Sequence, residues 1–69
     1  MTIRDYRWEL GWSMSELARR AGLDYQTVSR IEKKGVARLS SVAAIARALS
    51  EGLGRKISIR DIEGIRIIE

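Results

Sequence analysis

The sequence contains no cysteine, no histidine, no proline and no phenylalanine, and its aromatic residues are two tryptophans and two tyrosines. Without cysteine or histidine there are no disulfides, no thiolate or imidazole metal sites, and no catalysis by a cysteine nucleophile or a histidine base. We therefore expect neither a metal nor a cofactor. The absence of proline, together with 45% hydrophobic residues, indicates a globular, helical chain rather than a disordered one.

Long hydrophobic runs are also absent. No stretch approaches the ~20 apolar residues that a membrane span requires, and residues 1–6 lack the apolar run of a signal peptide. We therefore expect a cytoplasmic protein without a membrane partner. A chain this short buries only about 60% of its unfolded surface, so we expect a single domain over residues 1–69.

Thirteen Lys and Arg against nine Asp and Glu give a net charge of +4 and a pI near 10.1. This balance favours an anionic partner only weakly, because small domains commonly carry net charges of about 2 to 8. The distribution of charged residues along the chain is more informative about the partner. Residues 24–38 hold four cations and two acids, namely Arg30, Lys33, Lys34 and Arg38 against Asp24 and Glu32. A solvated surface is the alternative to a phosphate-binding one.

Residues 13–35 predict two short helices joined by a turn. Ser13 and Glu16 have the spacing of a capping box, so the first helix begins at about Met14. Its apolar face follows at helical spacing, with Leu17, Ala18 and Ala21. Gly22 permits the positive φ that ends this helix, and Asp24 caps the next. In that second helix Val28 and Ile31 face inward, whereas Gln26, Arg30 and Lys33 face outward and Thr27 is expected to face the first motif helix.

The order of small and apolar residues resembles the helix-turn-helix of the Xre or lambda-repressor-like family of DNA-binding regulators. The residues that carry the likeness are Met14, Leu17, Ala18, Gly22, Val28 and Ile31, followed by Glu32 and Gly35. Arg7, Gly11, Ser13 and the A-R-A-L of residues 46–49 extend it over about residues 3–50. The resemblance implies an all-α fold of five helices, with the helix-turn-helix at about residues 14–34.

The resemblance also implies a DNA-binding role for particular residues. Tyr25, Gln26 and Arg30 match the family's base-reading positions, and Ser29 is a weaker candidate. Gln26 suits N6 and N7 of adenine, and Arg30 suits O6 and N7 of guanine. Phosphates are expected to bind the backbone N–H groups of Met14 and Ser15 and the side chains of Lys33, Lys34, Arg38 and Ser40. Family members often have glutamine in place of Met14, whose side chain cannot bond a phosphate.

Two residues of the first helix, predicted over residues 3–10 from the Thr2–Asp5 capping-box spacing, have alternative interpretations. In resembling proteins an arginine at the position of Arg7 pairs with the glutamate matching Glu32; the alternative is a free surface arginine. Trp8 is either a half-exposed lid on the core or a contact surface, and we favour the lid.

The C-terminal half predicts further helices and a strand. Residues 36–39 are expected to form a loop before a fourth helix capped by Ser40, and the E-G-L-G-R-K segment at 51–56 either lengthens that helix or forms a basic loop. Ser58 and Asp61 predict a last short helix to about residue 63. The alternating tail predicts a short C-terminal strand with Ile65 and Ile67 on one face.

Segment 57–69 has six isoleucines, more than one short helix can turn toward a core. We therefore expect it to act as a dimerisation element through Ile65, Ile67 and Ile68, as the resemblance to Cro-type regulators implies. The alternative is a tail folded back on its own core.

The predicted function is a sequence-specific, double-stranded DNA-binding regulator of Cro or Xre type, acting as a repressor. It would be nucleoid-associated and would bind a palindromic operator as a homodimer. The alternative is a protein-interaction module, such as the antitoxin that binds a toxin. An enzyme is not expected, because no nucleophile is paired with a base.

Overall fold

The computed structural model describes residues 1–68; Glu69, the end of the predicted dimerisation segment, lies outside the described residues. The elements are α1 (Ile3–Leu10), α2 (Met14–Ala21), α3 (Tyr25–Lys34), β1 (Val36–Arg38), α4 (Leu39–Leu53), a 3₁₀ turn (Ile59–Asp61) and β2 (Arg66–Ile68). The predicted helical fold is confirmed. A 3₁₀ turn stands where a fifth helix was predicted, and a strand pair accompanies the helices.

A complete capping box begins α1, and half of one begins the 3₁₀ turn. The Thr2 hydroxyl accepts a hydrogen bond from the Asp5 N–H at 3.1 Å, and the Asp5 carboxylate accepts one from the Thr2 N–H at 2.9 Å. At the 3₁₀ turn the Asp61 carboxylate accepts a hydrogen bond from the Ser58 N–H at 2.9 Å, whereas the Asp61 N–H donates to the Ser58 carbonyl at 3.0 Å. The backbone N–H bonds are the largest cause lowering the pKa of both aspartates. Both contacts therefore stabilise the fold above the ordinary aspartate pKa and are lost as pH falls through the lowered pKa.

The capping box predicted for α2 is only half formed. The Ser13 hydroxyl accepts a hydrogen bond from the Glu16 N–H at 3.1 Å, as expected. The Glu16 carboxylate, however, accepts from Arg20 and Arg19 instead of returning to the Ser13 N–H. These hydrogen bonds, chiefly that from Arg20, lower the pKa of Glu16. Gly22 ends α2 with a φ of 72°, as predicted.

The core lies between α2, α3 and α4. Its largest fully buried side chains are Leu17, Val28, Ile31, Val42, Ile45 and Leu49. Residues 51–53 lengthen α4 to Leu53, and residues 54–56 follow it as an exposed turn. Gly52 leaves room for the half-buried Trp12, because a Cβ there would lie 2.6 Å from the indole Cη2. Of the two alternatives for the 51–56 segment, the longer helix is therefore correct for its first half.

The segment predicted as a loop at residues 36–39 contains a strand instead. β1 pairs in parallel with β2, with Val36 opposite Arg66, Ala37 opposite Ile67, and Arg38 opposite Ile68. The prediction of a Ser40 cap was also wrong, because α4 begins two residues earlier, with Arg38 as a cap residue that makes no side-chain capping bond. Both errors have one cause: the partner strand is about thirty residues away and leaves no local pattern.

The C-terminal segment folds back on its own chain. Of its six isoleucines, Ile57 and Ile62 are buried, three are half-buried, and Ile68 is 45% exposed. The half-buried three, Ile59, Ile65 and Ile67, pack against the core. Ile68 is therefore the apolar side chain that this segment still presents. Within residues 1–68, every helix is too short or too polar to cross a membrane.

Candidate nucleic-acid interface

A buried ion pair fixes the C-terminal end of α3. The Arg7 guanidinium donates to the Glu32 carboxylate from Nε at 2.8 Å and from Nη2 at 2.9 Å. Its Nη1 donates to the Trp12 carbonyl at 3.0 Å. The two charged side chains are only 10% and 6% exposed. The pair expected between Arg7 and Glu32 is present, and one guanidinium joins α1, the following turn and α3.

The opposite face of α3 is open. Gln26, Arg30 and Lys33 are exposed, whereas Val28 and Ile31 are buried in the core. Tyr25, the first residue of the helix, is 49% exposed. Ser29 is only 9% exposed and lies on the inward side, so we exclude it from the candidate reading surface. Helical periodicity alone places Ser29 near the edge of the buried stripe, which is why the sequence left it open.

The charge of this region is more one-sided than the sequence indicates. Glu32, one of the two acids among residues 24–38, is taken up by Arg7 in the interior. None of the four nearby cations, Arg30, Lys33, Lys34 and Arg38, has an ion-pair partner among residues 1–68. All four are exposed. The outer surface of α3 and β1 therefore carries four cations with Asp24 as the acid beside them.

An open groove of about 620 Å³ runs between α3 and the start of α4. Its polar lining includes Thr27, Arg30, Lys34, Arg38 and Ser41. Thr27, expected to face α2, is half-buried and contributes to this open groove. Ser41 was missed, because β1 has to bring the start of α4 beside α3 before the two sides of the groove meet.

Ser40, an expected phosphate ligand, is exposed in the first turn of α4. It lines a neighbouring groove of about 540 Å³ with Arg38, Leu39 and Ile68. Leu39 and Ile68 are 44% and 45% exposed, so two apolar side chains adjoin the basic region. Sequence periodicity did not predict that Leu39 is exposed.

The start of α2 offers backbone donors. The N–H groups of Glu16 and Leu17 are taken by the side chain and the carbonyl of Ser13. Those of Met14 and Ser15 have no acceptor among residues 1–68. The Met14 side chain is half-buried against the core. What this end of α2 presents to an anion is therefore backbone, not the Met14 side chain.

The prediction that Trp8 is a lid on the core was wrong. Its side chain is 66% exposed, and the Arg4 guanidinium lies 5.6 Å from the ring centroid. Ile3, Tyr6 and Arg7 define the inward face of α1, and at 100° per residue Trp8 falls on the other side. The periodicity of α1 was sufficient to show this.

A family model described as helix-turn-helix matches residues 3–61, which is most of the chain. The chain belongs to this family, of the Xre and lambda-repressor type. It is a DNA-binding helix-turn-helix domain concerned with transcription regulation, and the family is not one of enzymes. Neither a curated protein nor a solved structure matches the chain significantly. No acidic cluster that could hold a metal ion occurs within residues 1–68.

Proposed function

We propose that the protein is a sequence-specific repressor that reads duplex DNA by placing α3 in the major groove. The observation that carries the proposal is the exposed stripe of Gln26, Arg30 and Lys33 on a helix whose other face is locked into the core. The major groove admits one α-helix, and side chains near its N-terminal end then reach base edges. Repression requires no further activity, since an occupied operator excludes other proteins.

Base recognition would fall to three exposed residues of α3. Gln26 donates and accepts two parallel hydrogen bonds with N7 and N6 of adenine, and Arg30 donates two to guanine O6 and N7. Tyr25, one residue nearer the start of the helix, packs its ring on a thymine methyl or donates to a phosphate. Neither Gln26 nor Arg30 bonds another side chain within residues 1–68, so DNA binding breaks no internal contact of these two.

Phosphate contacts would flank that stripe. On one side are the N–H groups of Met14 and Ser15 at the start of α2, which have no acceptor in the described part of the chain. On the other are Lys33, Lys34 and Arg38, with the Ser40 hydroxyl in the first turn of α4. Such contacts fix the register of the protein on DNA without reading sequence, and each one adds to the salt dependence of binding.

The operator would be palindromic and occupied by a homodimer. One reading helix covers few base pairs, and two copies spaced about 34 Å along one DNA face double the sequence read. The outer edge of β2 and the exposed Ile68 and Leu39 support an interface at this end of the molecule. Because Ile65 and Ile67 pack half-buried on their own core, they would contribute mainly through the backbone of this segment.

The test is selection from a random pool of duplex DNA at physiological salt, followed by sequencing. We expect enrichment of a palindrome whose half-sites are one helical turn apart. A pool that enriches no motif would overturn the proposal and would favour a protein-interaction module centred on the exposed Trp8.

The dimer is tested separately by Ile68→Ser, with Trp8→Ser as the control at an exposed apolar residue elsewhere. Ile68→Ser should sediment as a folded monomer and should lose far more affinity for a palindrome than for a single half-site. If Trp8→Ser has this effect and Ile68→Ser does not, the interface lies on α1.

A further inference from the structure

The C-terminal segment touches the end of the reading helix directly. Gly35 ends α3 with a φ of 68°, and its carbonyl accepts a hydrogen bond from the Arg66 N–H at 2.7 Å. A Cβ on Gly35 would lie only 2.7 Å from the carbonyl oxygen of Gly64. The approach therefore requires glycine at residue 35, for its conformation as well as for space.

The same segment is fastened on its other side to the start of the chain. The Glu63 N–H donates to the Met1 carbonyl at 3.0 Å, and the Glu63 carboxylate pairs with the Met1 amino group at 3.0 Å. Thr2 and Glu63 form a parallel bridge. Residues 63–68 are thus held at both ends, and the half-buried Ile65 and Ile67 hold the middle to the core.

β1, to which the segment pairs, is the connection between α3 and α4. It carries Arg38, and Arg38 is opposite Ile68 in the strand register. If β2 leaves β1, both the end of α3 and the backbone of Arg38 lose their support. The Arg7–Glu32 pair then remains as the side-chain tie on that end of α3.

We propose that residues 63–68 position α3 and Arg38 for DNA binding within a single chain, independently of dimerisation. The proposal rests on the DNA-binding function proposed above. Its consequence is that the segment contributes to the affinity for a half-site that only one copy can occupy. A protein whose segment is undocked nine-tenths of the time binds about tenfold more weakly, because only the competent fraction binds.

The experiment compares Gly35→Ala with Gly54→Ala in the full chain. Both glycines have a φ near 70°, at 68° and 71°, so alanine meets the same backbone strain at each. Of the two, only Gly35 brings the new Cβ into collision, since no atom of residues 1–68 lies within 4 Å of a Cβ at Gly54. Half-site affinity is measured as a function of salt, far below the unfolding temperature of each variant.

Gly35→Ala should weaken half-site binding about tenfold and lower the salt slope by about one unit, because Arg38 loses its position. Gly54→Ala should leave both unchanged. Equal affinities for the two variants, or losses that simply follow their stabilities, would overturn the positioning role. A wild-type protein that binds no DNA would instead overturn the proposed function.

A second pair of variants covers the case in which Gly35→Ala does not fold. Arg66→Pro removes the N–H that donates to Gly35, at the first residue of β2, a strand position where proline occurs. Arg66→Ala removes the same charge and keeps the N–H. We expect the proline variant to bind a half-site several-fold more weakly than the alanine variant, about half a logarithmic unit or more. Indistinguishable half-site affinities would exclude the Arg66–Gly35 contact as a positioning element.

Discussion

The two ends of α3 are held in opposite ways. At the C-terminal end, Glu32 accepts two hydrogen bonds from Arg7, and Gly35 accepts one from Arg66. At the N-terminal end, Asp24 makes no side-chain capping bond and Tyr25 is 49% exposed. One end of the helix is therefore tied to the rest of the fold, and the other presents side chains to solvent.

This difference matches what a reading helix has to do. Residues that recognise bases must be exposed in the free protein, yet the helix must already have its orientation, because ordering it on binding would reduce affinity. Contacts at the far end of the helix supply that orientation without occupying Gln26 or Arg30. Mutations at the two ends should accordingly separate stability from DNA recognition.

The largest effect on stability is expected at the C-terminal end of α3, which is tied to the rest of the fold. Glu32→Ala leaves the Arg7 guanidinium buried without its carboxylate, so it should lower the free energy of unfolding by about 3–5 kcal/mol. Glu51→Ala, an exposed glutamate on α4, is the control and should change it by less than about 0.5 kcal/mol. Denaturant titration measures both. A double-mutant cycle between Arg7 and Glu32 without coupling energy would contradict the assignment.

The next largest effect is expected on the exposed face of α3 and on DNA recognition alone. Gln26→Ala and Arg30→Ala should each weaken binding to the selected site by about 1–3 kcal/mol. Their unfolding free energies should stay near that of the wild type, because both side chains are exposed. Binding is measured on selected and on random duplexes. Equal losses on the two would show that these residues do not read bases.

A smaller effect is expected at Lys34, which lies at the C-terminal end of α3 and lines the groove between α3 and the start of α4. Lys34→Ala should weaken binding to selected and random DNA alike and lower the salt slope by about one unit. Lys56→Ala removes the same charge from an exposed residue after α4 and serves as the control. An equal change of slope in both variants would mean that Lys34 acts through net charge and not through a phosphate contact.

The contacts at the C-terminal end of α3 also show which structural features could be predicted from the sequence and which could not. Helix boundaries follow from local chemistry: the hydroxyls of Thr2 and Ser13 accept from the N–H three residues on, and Gly22 and Gly35 end helices with positive φ. The position of Arg7 and Glu32 was accessible only through the resemblance, because spacing along the chain does not bring two helices together.

Strand pairing was the part that local patterns could not reveal. β1 is three residues long and directly joins two helices, so neither its length nor its composition marks it as a strand. β1 forms because residues 66–68 pair with it. The alternating sequence of the tail predicted a strand there but did not identify β1 as its partner. The pairing of β2 with β1 also places Leu39 beside Ile68 and Ser41 across from Thr27. These residues are too far apart along the chain for a local pattern to predict their proximity.

The smallest effect is expected at Asp24, the N-cap residue of α3. It is compared with Ser13, the N-cap residue of α2. Ser13→Ala removes a hydroxyl that accepts from the Glu16 N–H and should cost about 1 kcal/mol of stability. Asp24 occupies the equivalent place before α3 without such a bond, so Asp24→Ala should cost only the charge–dipole attraction, a few tenths of a kcal/mol. High salt screens that attraction but not the serine hydrogen bond. Unfolding titrations at low and high salt should therefore erase the loss at Asp24 and preserve the loss at Ser13. A salt-independent loss of about 1 kcal/mol at Asp24 would show that its carboxylate does cap α3 in solution.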